Sequence, residues 1–316
     1  MINLSSQIPP EYAGSRLDQV LAKLFSEHSR SRLKEWIDKG YVRVNGEIKR
    51  PRDKVKGGEL IEISAEVETV SSWEAEPIAL NIVYEDEDLL VINKPAKLVV
   101  HPAAGHRGGT LVNALLHHVP ALSEIPRAGV VHRLDKDTTG LLVVAKTQVC
   151  HTKLVEALQA REVERIYEAV VQGVVISGGT VNAKIGRHPY DRKRMAVVET
   201  GKNSITHYRV LQRFPAHTHL QLKLETGRTH QIRVHMAHIN HPVFGDKTYG
   251  GRLRVPPNSH PALLSLIHNF PRQALHAKQL SLIHPRTLER MTWEAPLPED
   301  FQELLRVLKV ELTGNQ

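Results

Sequence analysis

Residues 131–146 read Val131-His-Arg-Leu-Asp-Lys-Asp-Thr-Thr-Gly-Leu-Leu-Val-Val-Ala-Lys146. A polar, turn-forming segment runs directly into an apolar one, with Thr139-Gly140 supplying the bend between them. The apolar part, Leu141 to Ala145, is too short for a helix and predicts a strand. A carboxylate then stands at a strand entrance, where loops present functional groups. Working outward, Ile82-Val-Tyr-Glu-Asp-Glu-Asp-Leu-Leu-Val-Ile-Asn93 sets apolar runs on both sides of an acidic turn. That pattern predicts two paired strands, the second ended by Lys94-Pro95. Ile166 to Gln172 and the alternating Leu220, Leu222 and Leu224 predict further strands. Leu111 to His118, Thr152 to Leu158 and Phe301 to Leu308 predict helices, the last with Phe301, Leu304, Leu305 and Leu308 as its apolar stripe. Strands and helices interleave without regular alternation, which points to the α+β class with a mostly antiparallel mixed sheet.

Upstream lies a smaller pattern. Leu17, Val20, Leu21 and Leu24 share one helix face, and a second helix is predicted from an N-cap at Ser29 or Ser31 through Leu33, Trp36 and Ile37 to a stop at Gly40. Tyr41-Val-Arg-Val-Asn-Gly-Glu-Ile-Lys49 alternates around Asn45-Gly46, a strong signal for a tight hairpin, and Leu60-Ile-Glu-Ile63 predicts another strand. Between Arg30 and Lys56 lie ten basic and four acidic residues. Arg30 and Lys34 are four apart, so they share a helix face and can straddle phosphates.

The chain has 316 residues, a formal net charge of +8, 19 His and one Cys. Its length suits two domains, or one with an appendage. A single cysteine excludes an intramolecular disulfide framework and a cysteine-based zinc cluster. No stretch reaches the roughly 18 apolar residues of a membrane span, and the first ten residues lack the basic and apolar regions of a signal peptide, so a cytoplasmic protein with no membrane partner is expected. A pI near 9.5 points toward nucleic acid as partner. Residues 1–65 carry a net +3, residues 66–89 a net −8 with no base among them, and residues 90–316 a net +13. Two basic bodies therefore flank an acidic connector. No obligate protein partner is evident.

Asp135 and Asp137 both stand in the polar segment, and spacing does not choose between them. The second polar cluster is Glu225-Thr-Gly-Arg-Thr-His-Gln-Ile-Arg-Val-His-Met-Ala-His-Ile-Asn-His241. Thr229 is placed to cap a helix carrying Ile232, Met236 and Ile239, with Arg228 and Arg233 at or near its start. Arginine presents a rigid donor fork that grips carboxylate or phosphate. His230, His235, His238 and His241 raise a metal reading, as in a hydrolase. His235 and His238 are three apart rather than four, and no glutamate stands between them as base, so no metal is expected.

Ser15-Arg-Leu-Asp-Gln-Val-Leu21, Ser29-Arg-Ser-Arg-Leu-Lys-Glu-Trp-Ile37 and Val42-Arg-Val-Asn-Gly46 resemble the S4 RNA-binding module over residues 15–64. His132-Arg-Leu-Asp-Lys-Asp-Thr-Thr-Gly140 resembles the signature of the RluA family of pseudouridine synthases. Asn93-Lys-Pro-Ala-Lys-Leu-Val-Val-His-Pro102, Arg165-Ile-Tyr-Glu-Ala169 and Thr226-Gly-Arg-Thr-His-Gln-Ile-Arg-Val-His235 match further motifs of that family. Lys97 departs from the pattern, standing where many members carry glycine. The resemblance implies an N-terminal tail (1–14), a small α/β S4-like domain (15–64), an acidic linker (65–77) and an α+β catalytic domain (78–316).

What the resemblance implies about residues is specific. The catalytic aspartate falls on Asp135, its ion-pair partner on Arg233, the tyrosine that stacks on the target base on Tyr167, and the arginine that fills the vacated stack on Arg133. Asp137 then reverts to a turn role. Arg30, Arg32, Lys34, Arg43 and Arg228 are the remaining RNA-binding candidates. The implied reaction converts uridine to pseudouridine in large-subunit (23S) rRNA, free or in an assembling subunit. It is redox-neutral and needs no cofactor. The competing reading is a non-catalytic RNA-binding or ribosome-assembly factor, for which Asp135 would be dispensable.

Overall fold

The computed structural model describes residues 2–25, 28, 30–65, 73–102, 108–191, 193–251, 255–257 and 259–313, the side chains of 30–32, 312 and 313 excepted. They fall into two compact units, Met1–Ser71 and Ser72–Gln316.

The first unit runs β1 (Ile2–Gln7), α1 (Leu17–Leu24), α2 (Arg30–Asp38), β2 (Val42–Val44), β3 (Glu47–Ile48) and β4 (Leu60–Ala65). Its sheet has the order β1-β4-β2-β3. Asn45 and Gly46 have φ of 50° and 81°, the pair of positive values that a two-residue hairpin turn of type I′ requires. Of the helix stripes read from the sequence, Leu17, Val20 and Leu21 with Leu33, Trp36 and Ile37 are buried in one core with Val42, Val44, Ile61 and Ile63 of the sheet, and Leu24 packs against it partly buried. The expected tail is a strand instead. Ile2, Leu4 and Ser6 alternate with exposed neighbours, β1 pairs antiparallel with β4, and Ile8 after it is fully buried. Pairing with β4 supplies the partner that six residues of alternation do not announce.

The second unit continues with β5 (Ile82–Glu85), β6 (Leu89–Lys94), α3 (Leu111–His118), β7 (Thr139–Ala145), α4 (Gln148–Gln159), β8 (Glu164–Gln172), β9 (Gly179–Asn182), β10 (Ile185–Arg187), β11 (Met195–Val197), β12 (Ile205–Arg213) and β13 (His217–Leu224). It ends with α5 (Gln231–His238), α6 (Pro261–Asn269), β14 (Leu275–Ile283), β15 (Arg290–Glu294) and α7 (Glu299–Thr313). One sheet has the order β5-β6-β7-β14-β8-β13-β12-β9, with β15 also paired to β14, while β10 and β11 form a separate ribbon. Among the described residues only β7 and β14 pair in parallel. The α+β, antiparallel-rich class read from the sequence holds.

Both faces of the sheet are covered around β6 and β7. Leu90, Ile92, Leu142 and Val144 join the core beneath α3. Leu89, Val91, Leu141 and Val143 join a second core with Leu154 of α4. Burial on two sides is why these strands read as continuous apolar runs rather than alternating ones. The bend expected at Thr139-Gly140 lies earlier, where Thr138 N–H donates to the Asp135 carbonyl at 3.1 Å. Gly140 is a strand residue with φ of 109°, and a Cβ there would come within 2.3 Å of the Ala277 carbonyl. Glycine is what lets β7 and β14 approach.

Of the stretch 65–77, Ala65 closes β4, and residues 66–72 lie outside the described residues. The following segment is docked on the second unit: Asn113 Nδ2 donates to the Glu74 carbonyl at 2.7 Å, and Glu76 Oε1 accepts from Gly109 N–H at 2.8 Å. Among the described residues no helix is long and apolar enough to cross a membrane.

Candidate active site

The segment from His132 to Thr138 is held from several directions before it enters β7. Lys94, at the end of β6, is fully buried. Its Nζ donates to the carbonyls of Pro95 (2.8 Å), Leu98 (3.0 Å) and Lys136 (3.0 Å), tying the Lys-Pro turn to the residue after Asp135. Burial pulls the Lys94 ammonium down to about 8, against the charges of Asp137 and Asp135. Arg272 binds Asp300 at the start of α7 through Nε (2.6 Å) and Nη2 (2.8 Å), and its Nη1 reaches the Asp137 carbonyl at 3.3 Å. Gln273 Nε2 donates to Thr138 Oγ1 at 3.1 Å, and His276 Nδ1 bonds Thr139 Oγ1 at 2.8 Å. His132 Nε2 accepts from Val143 N–H at 3.1 Å, and burial pushes its ring down to about 3, so it is neutral. The segment is a preorganised platform.

On that platform Asp135 meets α5. Arg233 Nη1 donates to Asp135 Oδ2 at 3.1 Å. The same guanidinium grips Asp246 by two further bonds, Nε to Oδ2 at 2.6 Å and Nη2 to Oδ1 at 2.9 Å. Asp246 also accepts from the N–H groups of Thr248 (2.8 Å) and Tyr249 (3.0 Å). Burial alone would raise the Asp246 carboxyl, but the Arg233 bonds and charge and the two N–H donors outweigh it and hold it below the usual range. Burial would lower Arg233, and the two carboxylates raise it instead. Arg233 is thus fixed by a buried partner and offers its remaining edge to Asp135.

The start of α5 differs from expectation. His230, not Thr229, is the N-cap, in the left-handed region with φ of 57°. Thr229 is passed over because Gln231 Oε1 accepts from Arg228 N–H (3.0 Å) and Thr226 Oγ1 (2.8 Å), closing the turn from inside the helix. His230 Nδ1 bonds Tyr249 Oη at 2.8 Å, and its Nε2 lies 3.9 Å from Asp135 Oδ1. Tyr249 accepts from Met195 N–H at 2.9 Å, and the Arg233 and Arg194 guanidinium carbons lie 5.0 Å and 5.3 Å from its ring centroid. Three of the four clustered histidines are bonded in this way: besides His230, His235 bonds Thr206 Oγ1 (2.9 Å) and the Ala183 carbonyl (3.0 Å), and His241 the Gln172 carbonyl (2.9 Å).

Asp135, Tyr167, Arg133, Arg228, His230 and Arg233 line one cavity of about 930 Å³, within the roughly 300–1,000 Å³ of small-ligand sites. Tyr167 projects from β8, buried, and burial raises its phenol, which stays protonated. Arg133 and Arg228 are exposed at the cavity. In the other unit Lys34 and Arg43 are exposed, Arg43 also donating to the Gly46 carbonyl at 3.0 Å. The side chains of Arg30 and Arg32 lie outside the described residues. Sequence reasoning gives no catalytic or RNA-binding role to Asp246, Tyr249, Lys94 or Arg165, and raises His230 only as a metal candidate. Asp246 is thirteen positions from Arg233, and only the turn after α5 brings them together.

The site is a carboxylate held by an arginine on a cavity with a buried tyrosine and exposed arginines, and comparisons with known proteins give its class, an RNA-modifying isomerase. A model of the RNA pseudouridylate synthase family matches residues 88–238, and one of the S4 domain matches residues 15–61. The chain is 60% identical over 309 residues, 98% of its length and 97% of the other's, to the ribosomal large subunit pseudouridine synthase D of Pseudomonas aeruginosa. It is 57% identical over 316 residues, all of its length and 98% of the other's, to the protein of the same name from Haemophilus influenzae. Among solved structures it resembles human RNA pseudouridylate synthase domain containing 4, with a TM-score of 0.58 and 28% identity over 72% of this chain and 93% of that one. Human RNA pseudouridylate synthase domain containing 1 gives a TM-score of 0.54 and 26% identity over 74% of this chain and 96% of that one. The chain belongs to the RNA pseudouridylate synthase family and is a pseudouridine synthase, an isomerase, with an N-terminal S4 domain.

Proposed function

We propose that this enzyme converts uridines of large-subunit rRNA to pseudouridine in the cytoplasm, with Asp135 as the reacting carboxylate. The observation that carries the reading is the division of that carboxylate on the cavity wall: Oδ2 is held by Arg233 at 3.1 Å, while Oδ1 has the His230 ring 3.9 Å away and no hydrogen bond among the described residues. The names of relatives matched along nearly their full length support the substrate.

The reaction breaks N1–C1′, turns the base and joins C5 to C1′, with the C5 proton lost and one returned at N1. A stacked uridine is out of reach, so the base must leave the helix at a cost of a few kcal/mol. Stacking of the base on Tyr167 offsets part of that, and Arg133, exposed two residues before Asp135, fills the gap in the RNA. Arg233, itself fixed by Asp246, keeps the Asp135 carboxylate oriented toward the sugar whether it attacks C1′ or removes the C2′ proton. The exposed bases of the S4 unit, Lys34 and Arg43 among them, supply sequence-independent grip. The linker role of residues 65–77 belongs to the same reading, with its acids kept off the RNA.

The test is Asp135→Asn. Pseudouridine in large-subunit rRNA, mapped in cells that carry only the variant, should disappear while the purified variant still binds the RNA. Retained pseudouridine would sink the assignment of Asp135.

A further inference from the structure

Arg165 lies on β8 two residues before Tyr167 and therefore on the same face of the strand. It lines the cavity and is 7% exposed. Two other arginines of this unit are equally buried, Arg233 at 6% and Arg272 at 4%, and each is gripped by a carboxylate through two bonds. Arg165 has no such partner. Among the described residues no carboxylate pairs with it, and its buried Nε has no acceptor. Burial draws its pKa below the ordinary arginine value, only partly opposed by Tyr167. An uncompensated buried charge is expensive and calls for an explanation, and the cavity that Arg165 lines is where a compensating anion can enter. Room for that guanidinium is kept open as well: a Cβ on Gly227 would come within 2.8 Å of Arg165 Nη1.

We propose that Arg165 is the receptor for a backbone phosphate of the nucleotide whose base enters the cavity. The inference rests on the reading of this cavity as the uridine site. The anion must be one the substrate itself carries, and the phosphodiester is the only such group in RNA. A phosphate also presents two oxygens to the planar fork, which a neutral uracil carbonyl does not. Exposed Arg133 and Arg228 on the same cavity extend the cationic path along which a strand approaches. The binding energy is stored until RNA arrives.

The experiment uses the full-length enzyme and a synthetic RNA hairpin carrying the uridine it converts. Two versions of the hairpin carry a neutral methylphosphonate linkage either 5′ or 3′ to that uridine. The wild type should lose roughly 10- to 100-fold in affinity with one of the two linkages, as expected for a charge-assisted contact. Arg165→Met should lose a similar factor on the unmodified RNA and nothing further on that modified one. Its log–log salt slope of binding should flatten by about one. Arg165→Lys, which keeps charge but not the fork, should fall between. The free Arg165→Met protein should melt no lower than wild type, because an unpaired buried charge has been removed. Losses that add at both linkages, or a lower melting temperature with unchanged RNA affinity, would overturn the proposal. If Asp135→Asn is inactive while the linkage losses add, the phosphate assignment fails and the uridine-site reading stands. An active Asp135→Asn fails the latter instead.

Discussion

Replacing Asp246 by Asn removes the charge that anchors Arg233 while changing almost nothing in shape. The Asp246 side chain is fully enclosed and contributes two bonds to Arg233 of 2.6 Å and 2.9 Å. In Asp246→Asn the amide oxygen can still accept from the backbone of residues 248 and 249, but the new NH2 faces the Arg233 Nε donor. Breaking a buried ion pair from one side costs about 3–5 kcal/mol. For a unit of this size that is a fall in melting temperature of roughly 6–20 °C. Asp135→Asn loses a single 3.1 Å bond from a carboxylate with 16% of its side chain exposed, about 1–2 kcal/mol. The residue remote from the cavity should thus cost more stability than the proposed reacting carboxylate. Because the Asp246 carboxyl is held below its ordinary 3.8, the stability it contributes is full at neutral pH and is lost as pH falls below that value, so the gap between wild type and Asp246→Asn should narrow there. Turnover of the folded variant should drop about 100-fold, since a displaced Arg233 misplaces Asp135 by a fraction of a bond length or more. Thermal melts at neutral and acid pH with single-turnover rates measure all three effects. A melting temperature within a degree of wild type and an unchanged rate would refute the anchoring role.

Gly140→Ala should be destabilising by roughly 3 kcal/mol or more, because its Cβ would meet Ala277 backbone at 2.3 Å; a melt near that of wild type would show that β7 and β14 can separate. Lys94 carries a folded pKa of about 8 against an ordinary 10.5, so the unfolded chain binds more protons between those values. Wild-type stability should therefore rise more steeply with pH over that window than that of Lys94→Met, which lacks the titration; parallel pH–stability curves would contradict this. Lys34→Glu and Arg43→Glu should weaken RNA binding with little effect on single-turnover rate at saturating RNA, each flattening the salt slope by about one for every phosphate it no longer neutralises. A rate loss that saturating RNA does not repair would assign these residues to chemistry instead.

How much of the fold is legible in the sequence depends on how local the cause is. Asn45-Gly46 dictates its own turn through two positive φ values, and α3 forms over the apolar segment that marks it, with Leu111 to Leu116 all buried. The doubly buried β6 and β7 announce themselves as unbroken apolar runs. β1 does not, because its six residues are a strand only by pairing with β4, some fifty residues on. The α5 start misleads for a related reason. Thr229 is a good cap by composition, but Gln231 closes the turn first and leaves His230 in the left-handed region. Lys97, which departs from the motif the resemblance implies, adopts φ of 68°, the left-handed conformation that glycine would favour.

The site is legible where chemistry is carried by a residue's own neighbours and opaque where it is carried by its partner. Asp135 and Tyr167 sit in dense motifs. Asp246 lies outside the quoted motifs and Arg165 shares the Arg165–Ala169 motif with Tyr167, and their significance lies in one being paired and the other not. Arg233 and Arg165 are both buried guanidiniums on one cavity, yet they serve opposite ends. The first has its charge compensated before RNA arrives, so its geometry is set in advance and Asp135 is held without reorganisation. The second is left uncompensated in the free enzyme, so its compensation is available only on binding. An enzyme that must extrude a base needs both: a rigid reacting group, and a source of binding energy that appears only when the nucleotide is in place to offset the cost of unstacking.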